Sequence, residues 1–345
     1  MNNWRTSLNL VILVLLAIMA LVGLTWANNR YIAQDAGMND FLPRWAGTRW
    51  LMIEGRSPYG AQTTEDIQEL AYGRPARSSE DKGEFLYPLY AALIYAPFSL
   101  IADPVLARAL WMTLLEVALF IAVGGSLALT RWRPPAWILV LLILLMLIWY
   151  HSVVPILNGD YVVLCLLFIV LAFLAIRSNQ EVMAGFLLAL AGVRIEILLL
   201  LFLFIFVWVA SQDRWLVLWS YLGHTVLLIA VTSLIIPDWI VQNLRQAYHY
   251  YRNIFSVTPG GILIYWLPGV GAQLGWVITV FTGGMLFWEW RAVLRQDFRW
   301  FYWVANLTIT AANLIGLRTG LENYILLLPG IILVLATWDE RWGRL

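Results

Sequence analysis

Residues 7–27 run apolar for about 20 positions without a charge, the length of one bilayer crossing. Apolar runs of the same kind recur at 105–129, 135–153, 160–176, 214–236, 271–290, 300–317 and 321–338. Residues 182–210 are equally apolar but are interrupted by "VRIEI", which predicts two short helices meeting at Arg194 and Glu196. Residues 86–101, "LYPLYAALIYAPFSLI", are too short and too proline-marked to cross. They predict a re-entrant or interfacial helix, which is tolerated where protein covers the backbone. Pro259, Gly260, Gly261 and Pro268 predict a short, broken element leading into 271–290. The first run has no small-residue cleavage site at its end, so a retained helix is expected.

The polar positions between the runs set the sidedness. Lys and Arg counted over short loops favour a cytoplasmic N-terminus, with 86–101 returning to its own side. Arg131, Arg133, Arg177, Arg214, Arg291, Arg295, Arg299, Arg341 and Arg344 then all lie inside. Four segments lie outside: 28–85, the "HSVVPILNGD" turn, 237–260 and "RTGLEN". The expected fold is all-α, a polytopic transmembrane helical bundle forming one integral membrane domain over residues 1–345. Its outer face carries loop 28–85 with an interfacial helix and a second loop at 237–260.

Composition agrees. The chain is 61% hydrophobic and 12% charged, against about 25% charged in soluble domains. A formal charge of +1 gives no electrostatic case for nucleic acid. Cys165 is the single cysteine, so no intrachain disulfide is possible. The basic residues are 21 Arg and one Lys, a choice that favours fixed charge and forked phosphate recognition. No Gly-rich phosphate loop, nucleophile elbow, CxxC or HExxH occurs. No metal site is expected, since His249 lacks neighbouring ligands.

Chemistry therefore has to come from polar residues at the ends of spans. Asp40 precedes "FLPRWAGTRWLMI", which reads as a helix lying on the membrane surface with Arg44 and Thr48 opposite its apolar half. Asp40 is either its N-cap or a catalytic carboxylate, and the two roles are compatible. Burial beside Phe41 and Trp45 would raise its pKa and suit it to proton abstraction. Asp35, with Gly37 between, does not share a helical face with Asp40 and reads as a loop residue or a second polar contact. Arg194 and Glu196 are ionisable groups within the membrane, which points to function. They either neutralise one another or present Arg194 to a phosphate. Arg318 and Glu322, at i, i+4, are an ordinary helix pair or a second phosphate contact. Arg245, His249 and Arg252 in "RQAYHYYRN" are interfacial residues or ligand contacts. Asn158 and Asp160 form a turn and helix cap, or line the site. Glu116 sits within the 105–129 span and faces the bundle interior.

Four segments in order, "DFLPRWAGTRWLMIEGRSPYG", "FLYPLYAALIYAPFSLI", "LNGDYVVLCLLFIVLAF" and "AGFLLALAGVRIEILLLLFLF", resemble the GT-C glycosyltransferases, most closely glycosyltransferase family 87. The resemblance covers roughly residues 5–210. It departs from the family pattern where "YPLY" replaces a double proline, where Arg194 stands for a lysine, and where Asp160 stands for a glutamine. It implies an inverting transferase that moves a sugar from a polyprenyl-phosphate donor to a glycan or glycolipid acceptor hydroxyl. Asp40 would be the base, with Arg194, Arg318, Asp35, Asp160, Asn158, Arg245, His249 and Arg252 about the donor phosphate and sugar. No cofactor is implied, and the partners are the donor, the acceptor and membrane lipids. The setting implied is a bacterial plasma membrane, with the site on its extracytoplasmic face. A transporter or flippase of polyprenyl-linked glycans, or a non-catalytic lipid-binding assembly subunit, are the alternatives.

Overall fold

The computed structural model describes residues 3–34, 37–253, 258–315 and 320–343, and every regular element among them is helical. They pack as two compact units, Met1–Phe85 with Ala92–Val117, and Leu86–Ala91 with Ala118–Leu345.

In the first unit, α1 (Asn3–Ile32) carries an apolar stretch whose most hydrophobic window is wholly unburied by protein. Its last turns differ. Asn28 is buried, and its Nδ2 donates to Thr113 Oγ1 at 3.2 Å and to Glu116 Oε2 at 3.1 Å. Thr25 Oγ1 meets Thr113 Oγ1 at 3.0 Å. These bonds join α1 to α5 (Pro104–Thr130) and give Glu116 a donor within its apolar surround. The helix continues past residue 27, so the loop after it begins later than the hydropathy pattern predicts.

That loop holds α2 (Phe41–Glu54) and α3 (Ala61–Tyr72), and α2 packs on α4 (Ala92–Ser99). Trp45 Nε1 donates to the carbonyl of Phe98 at 3.1 Å, and Arg49 Nη1 to that of Ser99 at 2.8 Å. The amphipathic pattern leaves Arg44 and Thr48 opposite the apolar half of α2, yet every residue from Phe41 to Thr48 is buried by protein. Gly47, on the same face as Arg44 and Thr48, explains the burial: a Cβ there would stand 2.9 Å from the Phe85 ring and 3.1 Å from Pro58. The far end of the loop therefore folds over the face that the pattern leaves to solvent. Within the loop, Arg74 grips Glu80 through both nitrogens at 2.8 and 2.7 Å, and the backbone N–H of Arg77 adds a third bond at 2.8 Å. These donors hold the Glu80 carboxyl down to about 2, so it is ionised at physiological pH.

The second unit begins with a 3₁₀ turn at Leu89–Ala91 and takes in the end of α5. There follow α6 (Ala136–Ile148), α7 (Tyr150–Asn158), α8 (Val162–Arg177), α9 (Glu181–Ala191), α10 (Ile195–Ser211), α11 (Trp215–Ile235) and α12 (Trp239–Asn253). Next come α13 (Pro259–Trp266), α14 (Gly271–Val293) and α15 (Phe298–Ile315), then a 3₁₀ stretch at Leu321–Leu327 and α16 (Leu328–Trp342). Five described helices are long and apolar enough to cross a membrane, or six if the bent pair α6 and α7 counts as one span. The expected straight run at 135–153 breaks by 47° where Trp149 turns to extended backbone. Spans expected at 160–176, 271–290 and 300–317 are helices α8, α14 and α15, but each falls short of the length or apolarity of a full crossing. Residues 86–101 form only short helical pieces, as the pattern predicts. Most of the expected second outer loop is the amphipathic helix α12, and α13 is the short element before α14.

By length alone Glu181–Ser211 would be one crossing. A straight helix of that length would hold its ends about 45 Å apart. Yet Glu181 Oε1 meets Arg214 Nε at 2.8 Å, just past the end of α10. The chain therefore folds back at the 3₁₀ turn Gly192–Arg194, and two short arms meet there as the sequence predicts. The first arm runs beside α11 in the same direction, with Ser220 Oγ donating to Val182 O at 2.7 Å. Gly185 permits this approach, since a Cβ there would lie 2.5 Å from that of Ser220.

The second unit consequently has two distinct ends. At one, Arg177 Nη1 donates to the carbonyl of Ala128 at 2.8 Å, Trp132 Nε1 to Asp339 at 2.9 Å, and Gln212 Nε2 to the carbonyl of Gln296 at 2.7 Å. These bonds gather on one side the loops carrying Arg131, Arg133, Arg177, Arg214, Arg295, Arg299 and Arg341; Arg344 lies outside the described residues. At the other end stands the turn bearing Arg194.

Candidate functional site

Arg194 is a cation on a broken helix pair, and its surroundings decide what it does. Its Nη1 donates to Asp160 Oδ1 at 2.6 Å and its Nε to Glu196 Oε1 at 2.7 Å. Nη1 also reaches Tyr87 Oη at 3.4 Å, and Nη2 reaches Asn323 Oδ1 at 3.3 Å. The guanidinium lies 5.7 Å from the centre of the Tyr87 ring. Asp160 is 2% exposed, Arg194 8% and Asn323 1%, so this is a buried polar cluster.

Each member arrives from a different element for a local reason. Gly159 ends α7 in the left-handed conformation (φ 72°), which glycine adopts without strain and which turns the chain into α8. Asp160 follows, and its Oδ1 accepts the Val162 N–H at 2.9 Å and the Tyr87 hydroxyl at 3.2 Å. It is thus both the cap of α8 and the anchor of Arg194. Tyr87 is fixed from behind, because Asn243 Nδ2 of α12 donates to the carbonyls of Leu86 and Tyr87 at 2.9 and 3.1 Å. Tyr90, one turn on, donates to Gly192 O at 3.1 Å and so holds the apex of the reversal. Burial pushes the Tyr90 phenol above its ordinary range, so it donates as a neutral hydroxyl. Glu322 is within electrostatic reach of Asp160 and Arg194, and its carboxylate folds back over Gly320. His151 Nδ1 lies 2.7 Å from Leu321 O.

Of the two sequence readings of Arg194, the ion pair with Glu196 is the one the cluster contains. The neutralising partner Glu196 is present, and Asp160 is a second. Four side chains, Asp160, Glu196, Tyr87 and Asn323, bond to it. Asn158 is exposed at the end of α7, and Arg245 and His249 are exposed on α12. The hydrogen bonds above do not join these three to the cluster. Arg252 lies on α12 with its side chain outside the described residues, and Asp35 and Arg318 lie outside them altogether. Tyr87, Tyr90, Asn243 and Asn323 are members that sequence reasoning missed. The tyrosines stand in the expected short segment 86–101 and had a signal there; the two asparagines had none.

In the first unit, Asp40 lies at the start of α2 without capping it. Asn39 Oδ1 accepts both the Phe41 and Leu42 N–H groups, each at 3.0 Å. The Asp40 carboxylate lies 3.7 Å from Arg44 Nη1 and keeps 36% of its side-chain surface exposed. Among the described residues no group of three or more His, Cys, Asp or Glu side chains is placed to hold a metal ion.

No curated protein and no solved structure matches the chain. The family model for glycosyltransferase family 87 matches residues 85–315, two-thirds of the chain. The matched stretch contains Tyr87, Asp160, Arg194 and Glu196, and begins after Asp40. With its helical membrane architecture and this match, the chain belongs to glycosyltransferase family 87.

Proposed function

We propose that the protein transfers a sugar from a polyprenyl-phosphate donor to an acceptor hydroxyl on the outer face of the membrane, with inversion. The observation that carries this reading is the buried Arg194 cluster at the end of the second unit opposite its arginine-rich loops. A donor of this class has an apolar tail, a phosphate and a polar head, and it needs a cation held near the membrane boundary. Arg194 supplies a fixed charge there, with Asp160 and Glu196 setting its orientation. In the reaction the acceptor oxygen attacks the anomeric carbon while its proton passes to the Asp40 carboxylate. The carbon–oxygen bond to phosphate breaks, and its electron pair leaves with the phosphate, whose charge Arg194 stabilises.

Purified protein in detergent, given a radiolabelled polyprenyl-phosphate sugar and a glycan acceptor, is expected to form glycosylated product. A flippase needs sealed vesicles to show activity, so absence of transfer in detergent with a lipid-transport signal in vesicles would reverse the assignment. Sidedness has its own test. Gln62 in the first loop and Arg133 in the basic loop are both exposed. A membrane-impermeant maleimide applied to intact cells should label Gln62→Cys and spare Arg133→Cys, with buried Cys165 silent. Labelling of both from outside, or of Arg133→Cys alone, would overturn the topology.

A further inference from the structure

The proposed chemistry uses one end of the second unit and leaves the other unexplained. At that other end a cavity of about 780 Å³ opens between the ends of α5, α8 and α16 and the start of α15. Arg131, Arg133 and Arg177 all line it. Arg177 Nη1 donates to the carbonyls of Ala128 and Leu129 at 2.8 and 3.1 Å. None of the three forms an ion pair among the described residues. Three carboxylates, Asp297, Asp339 and Glu340, share the lining, and each has a partner other than these arginines. Asp339 accepts Trp132 Nε1 at 2.9 Å, Glu340 accepts Arg299 Nη2 at 2.7 Å, and Asp297 caps α15 through the Arg299 and Trp300 N–H groups at 3.1 and 3.3 Å.

The bias of arginine towards one side of a membrane is met by any scatter of arginines over the loops. It does not require three of them to line one cavity while none forms an ion pair with the carboxylates that share it. Like charges facing a shared space repel, and an anion placed among them relieves the repulsion. Guanidinium forks match the oxygens of a phosphate in particular. We infer that this cavity binds a phosphate-bearing anion, either the headgroup of an anionic phospholipid in the adjoining leaflet or a soluble phosphate.

The test is native mass spectrometry of the full chain in detergent, titrated with dioleoyl phosphatidylglycerol and, separately, with dioleoyl phosphatidylcholine. The informative variant is R131N/R133Q. Neither arginine side chain makes a hydrogen bond among the described residues, and asparagine suits the left-handed backbone at Arg131 (φ 57°) while keeping its N–H bond to Ala128 O. Phosphatidylglycerol should be retained over phosphatidylcholine, and the double variant should hold it about tenfold or more weakly. R291Q, at an exposed arginine of the same end outside the cavity, should leave retention unchanged. Displacement of bound phosphatidylglycerol by millimolar inorganic phosphate assigns the site to a soluble phosphate, and persistence assigns it to the lipid headgroup. Equal retention of the two lipids, full retention by R131N/R133Q, or an R291Q loss as large as that of the double variant would overturn the inference and leave the arginines as a topology signal alone.

Discussion

Asp40→Asn should fold, bind donor and lose roughly 10²–10⁴-fold in turnover, the range expected for removal of a general base. The expectation that it folds rests on Asn39. Because Asn39 caps α2, the carboxylate at position 40 has no capping duty to surrender. The amide oxygen of the variant still faces Arg44, so the i, i+4 contact at 3.7 Å loses charge but not shape. Initial rates at saturating donor, with the melting temperature in detergent as the folding control, check this. Asp35→Asn should lose much less. Near-normal transfer by Asp40→Asn, with transfer abolished in Asp160→Asn, would move the base to Asp160 and return Asp40 to a structural role.

Arg194→Ala should destabilise the protein by about 3–5 kcal/mol, the usual cost of leaving one half of a buried ion pair behind. Asp160, 2% exposed, would be the stranded charge. Loss of activity in that variant alone therefore says little. The double variant Arg194→Ala/Asp160→Asn removes the stranded charge while leaving the Val162 N–H an acceptor. Its thermal stability should recover in large part, and the apparent donor KM should stay raised, because a charge-assisted phosphate bond worth about 1.5–3 kcal/mol is still missing. If donor affinity returns together with stability, Arg194 is a structural cation. The phosphate contact would then pass to Arg245, Arg252 or Arg318.

How much of this could be read from the chain alone varies with the physics of each element. Lipid-facing helices declare themselves by length and apolarity, so α1, α5, α11 and the reversal at Arg194 are legible. Boundaries set by single backbone torsions are not: nothing in the run 135–153 marks Trp149 as the bend. The burial of Arg44 and Thr48 was hidden for another reason. Periodicity reports which face is apolar, whereas Gly47 and Phe85, far apart in sequence, decide whether the polar face is covered. The site divides the same way. An arginine flanked by leucines and isoleucines announces itself, and so does a glutamate two positions on. Asn323 and Asn243 carry no such contrast, and only the fold brings them to the Arg194 cluster.

Most of α1 meets lipid alone, and a bilayer senses such a stretch only as length and oiliness. Its side chains there are interchangeable with those of any comparable apolar rod. The final turns are not, because Thr25 and Asn28 engage Thr113 and Glu116 in one polar knot. A smooth rod in a fluid is at liberty to slide and spin. The knot removes both freedoms at the end from which the chain runs on to Asp40, and so α1 works as a depth stop: the membrane supplies the axis, and four polar side chains supply the notch.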